Sequence, residues 1–169
     1  MLFRSAWNAS TGQLTNTTYA SALPALFDVG YFYSTQTQSG SANVSGSFTF
    51  DNIVPINAVT VSGSRINIPK TAWYNFQFSI QAVQGSGAGD VAVWLKKDGV
   101  NVANTATYIT IPSNQKSVLA LNLWEQVNSG SYVELAYQSD SNNTTYQYIT
   151  PTGNIPASPS VIMNVNQIR

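Results

Sequence analysis

Alternation of apolar and polar residues is the main pattern along this chain. It is clearest at residues 74–80, where aromatic and aliphatic side chains alternate with Asn, Gln and Ser, and it recurs at 91–95. A period of two places one set of side chains on a buried face and the other in water, which is typical of a β-strand. The same pattern predicts further strands at Val29–Tyr33, Ser47–Phe50, Ala58–Val61, Arg65–Ile68, Thr107–Ile111, Lys116–Val127, Tyr132–Gln138, Tyr146–Ile149 and Val161–Ile168.

Turn-forming residues separate these runs at short spacing. Asp98 and Gly99 lie between one alternating run and the short apolar run Val100–Val102, which predicts a β-hairpin. Gly85–Gly89 and Asn128–Gly130 indicate other loops, and no window has a convincing helical period. About ten short strands within residues 28–169 are typical of one β-sandwich or barrel domain.

Residues 1–27 lack this alternation and are predicted to form a separate N-terminal segment. The segment is rich in Asn, Ser and Thr, and its bulky apolar residues have no clear period. Two interpretations stay open: a frayed terminus, or an arm that becomes ordered against a partner protein. In the second case the predicted contact residues are Phe3, Arg4, Trp7, Leu14 and Tyr19.

Composition excludes several classes of function. The 169 residues carry no net charge, only 8% of them are charged, and 64 are Asn, Gln, Ser or Thr. Because the chain has no His and no Cys, it cannot build a His-dependent nucleophile system or a Cys/His zinc site. Seven cations balanced by seven anions do not form the basic patch that nucleic-acid binding needs. We therefore expect no enzyme activity and no cofactor.

Membrane insertion and secretion are also not expected. No stretch reaches the roughly 18 apolar residues that a membrane span requires. Polar residues follow the opening Met1–Arg4 closely, so that this end does not resemble a signal peptide. The predicted partners accordingly include neither nucleic acid nor membrane.

A few side chains remain as candidates for chemistry. Glu125 and Glu134 are the only glutamates, and we expect solvated or salt-bridged carboxylates rather than a glycosidase pair. Asp140–Asn143 offers oxygen ligands for calcium, but it lacks the glycine and the distal glutamate of an EF-hand loop and is predicted to be a surface turn. Trp94 and Trp124 have the opposite phase to their apolar neighbours, which directs them outward or toward another subunit and leaves a carbohydrate contact open.

Four segments in order resemble one known family. They are Trp73–Ile80, Val93–Val100, Asn128–Leu135 and Pro159–Val165. Together they resemble the globular-head domains of complement and tumour-necrosis-factor ligands, in the version found in virion proteins of tailed phages. The resemblance covers roughly residues 28–169.

This resemblance implies an all-β fold, a ten-stranded jelly-roll β-sandwich that assembles as a homotrimer. The chain has 20 aromatic residues, which suit both a core and an interface where Tyr, Trp and Phe are enriched. The residues predicted for the trimer interface or the core are Tyr74, Phe76, Phe78, Trp94, Trp124 and Tyr137.

The predicted function is that of a phage virion structural protein on the capsid exterior. A trimer that decorates or cements the head would bind the lattice of the major capsid protein through the N-terminal arm. The alternative is a tail-fibre or receptor-binding tip that recognises host surface glycans. A secreted signalling or lectin-like ligand is a third interpretation, disfavoured by the missing signal peptide. One fold serves all these roles, so the fold alone cannot choose among them.

Overall fold

Sixteen β-strands account for the regular structure of the described part of the chain. A computed structural model describes residues 3–8, 13–18 and 27–168, with the side chains of 27–54 and 58–168. The strands are β1 Phe3–Asn8, β2 Gln13–Thr18, β3 Val29–Ser34, β4 Gln38–Ser39, β5 Gly46–Ser47, β6 Asn52–Asn57, β7 Thr60–Ser62, β8 Arg65–Asn67, β9 Ala72–Gln84, β10 Gly89–Lys97, β11 Val100–Asn101, β12 Thr107–Ile111, β13 Gln115–Val127, β14 Tyr132–Ser139, β15 Thr144–Tyr146 and β16 Val161–Gln167. Within these ranges no helix is long and apolar enough to cross a bilayer. The all-β prediction is confirmed.

The N-terminal segment contains a hairpin that the sequence pattern did not predict. β1 and β2 pair antiparallel, from Phe3 opposite Thr18 to Asn8 opposite Gln13. Four of the five predicted arm residues lie on these strands, whereas Tyr19 lies outside the described residues. Alternation is weak here, but β2 is rich in Thr, a residue with high strand propensity.

The first of two antiparallel sheets in residues 27–168 is built around the long strand β9. β13 covers one edge of β9 along its whole length, from Ala72 to Gln84. On the other edge of β9, β16 pairs with residues 74–80 and β15 pairs with residues 82–84. β3 and β4 follow in the next row, and β6 forms the outer edge. We call these five rows sheet I.

The second sheet, sheet II, is built around β14 and β10. β14 covers one edge of β10, so that β12 and β11 share the other edge. On its far side β14 pairs with β8 and β5, and β7 closes the row beyond β8. The second sheet thus also has five rows.

Most predicted strands differ from the observed bounds by a few residues at one end or both, and four differences are larger. Gln38–Ser39 and Asn52–Asn57 are strands that were not predicted, the latter because Pro55 interrupts the pattern. Pro55 is tolerated because, among the described strands, β6 pairs with β3 alone and forms an edge. Two predicted strands are shorter than expected: Gly46–Ser47 replaces 47–50, and Thr144–Tyr146 replaces 146–149. Breaks within rows raise the number of separate strands in residues 27–168 above the predicted ten, to fourteen.

The core lies between the two sheets and follows the alternating pattern. Along β9 the side chains of Tyr74, Phe76, Phe78 and Ile80 are all buried, as the period of two predicts. They pack with inward residues of sheet II in one cluster. Each fully buried side chain of this size contributes about 1.5–3 kcal/mol relative to exposure.

The predicted hairpin at Asp98 and Gly99 is confirmed. Lys97 lies opposite Val100, and the two residues between them have φ angles of 52° and 81°. Positive φ at both central positions is the geometry of the type I′ turn, which suits the twist of paired strands.

Three aromatic rings form a second packing centre at one end of the sandwich. Phe48, Tyr137 and Tyr146 have mutual centroid distances of 4.6 to 4.7 Å. Gly46 is needed beside them, because a Cβ at this position would lie 2.6 Å from atoms of the Tyr137 ring. The Tyr137 hydroxyl donates to the carbonyl of Ser39 at 3.1 Å.

Candidate functional site

The outward surface of sheet I carries three cross-strand rows of uncharged side chains. Register across β3, β16, β9 and β13 aligns four residues in each row. We call these twelve residues the sheet I face: Val29, Asn166, Asn75 and Trp124; Tyr31, Asn164, Gln77 and Asn122; Tyr33, Ile162, Ser79 and Ala120. Amides, hydroxyls, aromatic rings and aliphatic side chains make up the whole set, so contact with another surface requires no charge to be desolvated.

Two exposed tryptophans lie at one end of the sheet I face. Trp124 is 63% exposed and Trp73 is 46% exposed. Trp124 lies opposite Asn75, and Trp73 lies opposite Gln126, so the two indoles are diagonal neighbours on adjacent strands. Exposed aromatic side chains adjoining a neutral surface of this kind are typical of an interaction site.

One polar atom of this face is buried without a partner. The Oδ1 atom of Asn75 accepts no hydrogen bond from the described residues. A buried acceptor of this kind is rare in folded proteins, and it is costly until a donor reaches it. The atom lies in the same row as Trp124.

The six residues predicted for the trimer interface or core divide into two groups. Tyr74, Phe76, Phe78 and Tyr137 are at most 7% exposed and belong to the core of the single chain. Trp94 and Trp124 point outward from opposite sheets, as their phase predicted, and only Trp124 belongs to the sheet I face.

Sheet II has a groove on its outward surface with a volume of about 550 Å³. Its floor is Ala92, which lies opposite Tyr108 on one side and opposite Gln138 on the other. Asp90 and Trp94 flank Ala92 along β10. The remaining lining residues come from β11, β14 and the neighbouring loops: Asn43, Asn101, Val102, Ala103, Asn104, Ala106, Ser139 and Asp140. We call this cavity the sheet II groove.

One wall of the groove is a loop held by the Thr105 hydroxyl. This oxygen accepts a hydrogen bond from the Leu95 amide at 3.1 Å and donates one to the Val102 carbonyl at 2.8 Å. The Val102 amide in turn donates to the Leu95 carbonyl at 2.9 Å. The loop is therefore fixed to β10 before any ligand arrives.

The opposite wall is fixed in a similar way. The Asn43 amide donates to the Ser139 carbonyl, and the Ala42 amide donates to Oδ1 of Asn142, both at 2.7 Å. Asn43 has a φ of 61° and Asn104 on the first wall has a φ of 62°. Asn tolerates this left-handed conformation better than most residues, so its presence suits these two loops.

Two carboxylates and no cation line the sheet II groove. Asp90 accepts a hydrogen bond from the Thr110 hydroxyl at 2.5 Å, and Asp140 accepts one from the Asp90 amide at 2.8 Å. Trp94 donates through its indole nitrogen to Asn101 at 2.8 Å. These contacts orient the groove side chains, and the two carboxylates give the groove a negative character.

The two glutamates are held by separate partners on different sheets. Glu125 of β13 forms a salt bridge with Lys97 of β10, which joins the two sheets. Glu134 of β14 accepts a hydrogen bond from the Ser64 hydroxyl at 2.6 Å. Among the residues that the structure describes, no group of three or more His, Cys, Asp or Glu side chains is placed to hold a metal ion.

The groove residues were mostly missed from the sequence. Trp94 was selected for its outward phase, whereas Tyr108 and Gln138 were not selected although they also lie on the outward faces of their strands. The alternation of side chains along each strand did indicate that Tyr108 and Gln138 point outward. What the sequence did not contain was the register that brings β12, β10 and β14 together at Ala92.

Comparison with known proteins shows the fold. No protein-family model and no curated protein sequence matches the chain. The crystal structure of murine APRIL at pH 5.0 matches with a TM-score of 0.56 and 8% identity, over 84% of this chain and 99% of that chain. The structure of Eiger TNF from S. frugiperda matches with a TM-score of 0.53 and 10% identity, over 85% of this chain and 93% of that chain. The chain therefore contains a tumour-necrosis-factor-like jelly-roll β-sandwich, as the sequence resemblance implied.

Proposed function

We propose that this chain is a phage virion structural protein, a ten-stranded jelly roll that forms a homotrimer and decorates the capsid exterior without enzymatic activity. The observation that carries the proposal is the sheet I face, whose twelve outward residues include no charge. Assembly through this face would avoid the desolvation penalty of buried ions.

The chemistry of the sheet I face suits contact between copies of the chain. Its amides both donate and accept hydrogen bonds, so that they can pair with the same residue types on another copy. Trp124 and Trp73 supply the large aromatic side chains that dominate binding energy at interfaces. Closed symmetric assembly is the usual form of soluble homo-oligomers.

The virion role is supported by the resemblance of Val93–Val100 and Pro159–Val165 to tailed-phage virion proteins. In this proposal the β1–β2 hairpin is the arm that reaches the capsid lattice. Burial of its apolar side chains would contribute about 25 cal/mol per Å² of apolar surface. Because the chain has few charges, this binding would depend little on salt concentration.

The trimer is tested with one charge placed at the centre of the sheet I face. Light scattering coupled to gel filtration should give wild-type protein a mass of about 55 kDa, three times the 18.2 kDa of one chain. Gln77→Lys should dissociate it, because each copy would bury an unpaired charge in the interface. The matched variant Gln138→Lys places the same charge on the outward side of sheet II and should remain trimeric. A monomeric wild-type protein would refute the trimer, and an intact Gln77→Lys trimer would refute this interface.

The capsid role is tested separately, by sedimentation of the full chain with capsids purified without it. Wild-type protein should co-sediment, and the double variant Phe3→Ala/Trp7→Ala should remain trimeric and stay in the supernatant. Ser5→Ala on the same strand is the matched control. Co-sedimentation of the double variant would show that the arm is not the contact, and failure of the wild-type protein would overturn the capsid role.

The receptor-binding alternative is favoured by one observation, the sheet II groove. Its lining includes residues of β10, β12 and β14, which belong to sheet II and not to the sheet I face.

A further inference from the structure

We propose that the sheet II groove binds a neutral carbohydrate, one sugar unit of a glycan at a time. This inference goes beyond the structural role and rests neither on the trimer nor on the capsid contact. It follows from the size of the groove, its two aromatic side chains, and the kinds of polar group that line it.

The groove has the dimensions of a small-molecule site. Its volume of about 550 Å³ lies within the range of about 300–1,000 Å³ typical of ligand pockets. The groove is deepest at Ala92, because the larger side chains of Tyr108 and Gln138 lie on the two neighbouring strands at the same register. A small residue between two large ones leaves room for a sugar ring to lie over the strand.

Aromatic side chains stand at the walls of this space. Tyr108 is 74% exposed, so most of its ring is free to contact a ligand. Trp94 is half-buried and its indole nitrogen is already bonded to Asn101, which holds the ring in place. The C–H face of a sugar ring is apolar, and packing it against these rings would remove apolar surface from water.

The polar groups of the groove match hydroxyl groups better than ions. Sugar hydroxyls both donate and accept hydrogen bonds. Asp90 and Asp140 supply acceptors, while the amides of Asn43, Asn104 and Gln138 supply donors and acceptors together. No Lys or Arg lines the groove to neutralise a phosphate, a sulfate or an acidic sugar.

A cationic ligand is the competing possibility, because carboxylates and aromatic rings attract cations. Two observations disfavour it. The Lys96 ammonium already lies 5.9 Å from the centroid of the Trp94 ring. The three amides would also present N–H groups for which a cation has no acceptor. A neutral polyol satisfies both kinds of group in the groove.

The walls are already in place, which reduces the cost of binding. Hydrogen bonds at Thr105 fix one loop, and those made by the Ala42 and Asn43 amides fix the other. Binding therefore orders little additional backbone.

The direct test is saturation-transfer NMR and titration calorimetry with the full chain. The probes are galactose, glucose, mannose and N-acetylglucosamine, with choline and inorganic phosphate as charged comparators. At least one sugar should bind with a dissociation constant of about 1 mM, and neither comparator should bind. Binding of choline without any sugar would assign the groove to cations, and binding of no sugar would overturn the proposal.

Three variants locate the binding. Tyr108→Ala should weaken sugar binding at least tenfold, and Ala92→Leu should abolish it because the longer side chain fills the floor. Ile155→Ala, which truncates a side chain that is 70% exposed outside the groove, should change nothing. Thermal unfolding checks that each variant is folded. If Ala92→Leu does not fold, Tyr108→Ala still tests the proposal. Equal binding by Tyr108→Ala and wild-type protein would place the sugar elsewhere.

Failure of this proposal is distinguishable from failure of the trimer. Gln77→Lys changes sheet I only, so its groove should bind the same sugar with the same intrinsic affinity whether or not the protein remains trimeric.

Discussion

Tyr137 and Tyr146 lie in the same aromatic cluster, but only the hydroxyl group of Tyr137 has a hydrogen-bond partner among the described residues. Their ring centroids are 4.6 Å apart, and both pack against Phe48. The Tyr137 hydroxyl donates to the Ser39 carbonyl at 3.1 Å, whereas the buried Tyr146 hydroxyl has no hydrogen-bond partner among the described residues. The gap lined by both tyrosines has no space for a water-sized sphere. Replacing each Tyr with Phe therefore removes a satisfied hydroxyl in one case and an unsatisfied one in the other.

The two substitutions should have opposite effects on the free energy of unfolding. Tyr137→Phe removes a hydrogen bond with a net contribution of about 1 kcal/mol. Tyr146→Phe removes a buried hydroxyl whose desolvation costs about 1–3 kcal/mol, and the small void that remains offsets part of this. We expect Tyr137→Phe to destabilise the protein by about 1 kcal/mol and Tyr146→Phe to stabilise it by about 1 kcal/mol.

The assay is thermal unfolding of both variants at one protein concentration, since oligomers unfold in a concentration-dependent way. For a chain of this size, 1 kcal/mol corresponds to a shift in Tm of about 2–4 °C. The two midpoints should move in opposite directions from the wild-type value. A decrease of similar size in both variants would refute the reasoning, because it would show that the Tyr146 hydroxyl has a partner.

Three further predictions concern pH and packing. Burial and the neighbouring Asp28 carboxylate raise the pKa of Tyr74 to about 12, above its ordinary value of 10.0. The folded state should therefore lose stability as pH rises from 10 to 12, which urea unfolding at each pH would measure. Burial alone would raise the pKa of Asp51, but hydrogen bonds from Thr35 and neighbouring side chains outweigh this effect and lower the pKa from 3.8 to about 2. The stability that the ionised carboxylate contributes should therefore be lost as pH falls from 4 to 2. Asp51→Asn should flatten that part of the urea-unfolding profile. Gly46→Ala should destabilise by about 1–3 kcal/mol in urea unfolding, because its methyl group overlaps the Tyr137 ring.

The core and the hairpin turn could be predicted because each depends on residues adjacent in sequence. The alternation at 74–80 directly determines which side chains of β9 point inward, since the period of a strand is two. Asp98 and Gly99 suit positive φ angles, so a turn there needs no information from elsewhere. By contrast, β6 contains Pro55, and its pairing with β3 is not shown by the local pattern.

The candidate sites could be predicted only in part, because they depend on register between strands that are distant in sequence. The phase of Trp94 and Trp124 indicated that both point outward. Whether Tyr108 meets Ala92, however, depends on how β12 aligns with β10, and a shift of one residue would place the ring on the core side. The loop at Asn43 reaches the groove through a contact with Ser139, across almost a hundred residues of sequence.

The two outward faces of this sandwich have different chemistry, and this lets one serve assembly while the other binds a ligand. The sheet I face is neutral and rich in amides, whereas the sheet II groove is lined by Asp90 and Asp140 together with the rings of Tyr108 and Trp94. Because the two sheets enclose the core between them, a trimer formed through sheet I would leave three grooves open to solvent. A single groove that binds one sugar at about 1 mM is weak, but three grooves engaging one glycan surface would raise the apparent affinity by about 10²–10⁴ where the spacing permits. A dense glycan surface should therefore retain wild-type trimer and release the Gln77→Lys monomer, although both have the same affinity for the free sugar.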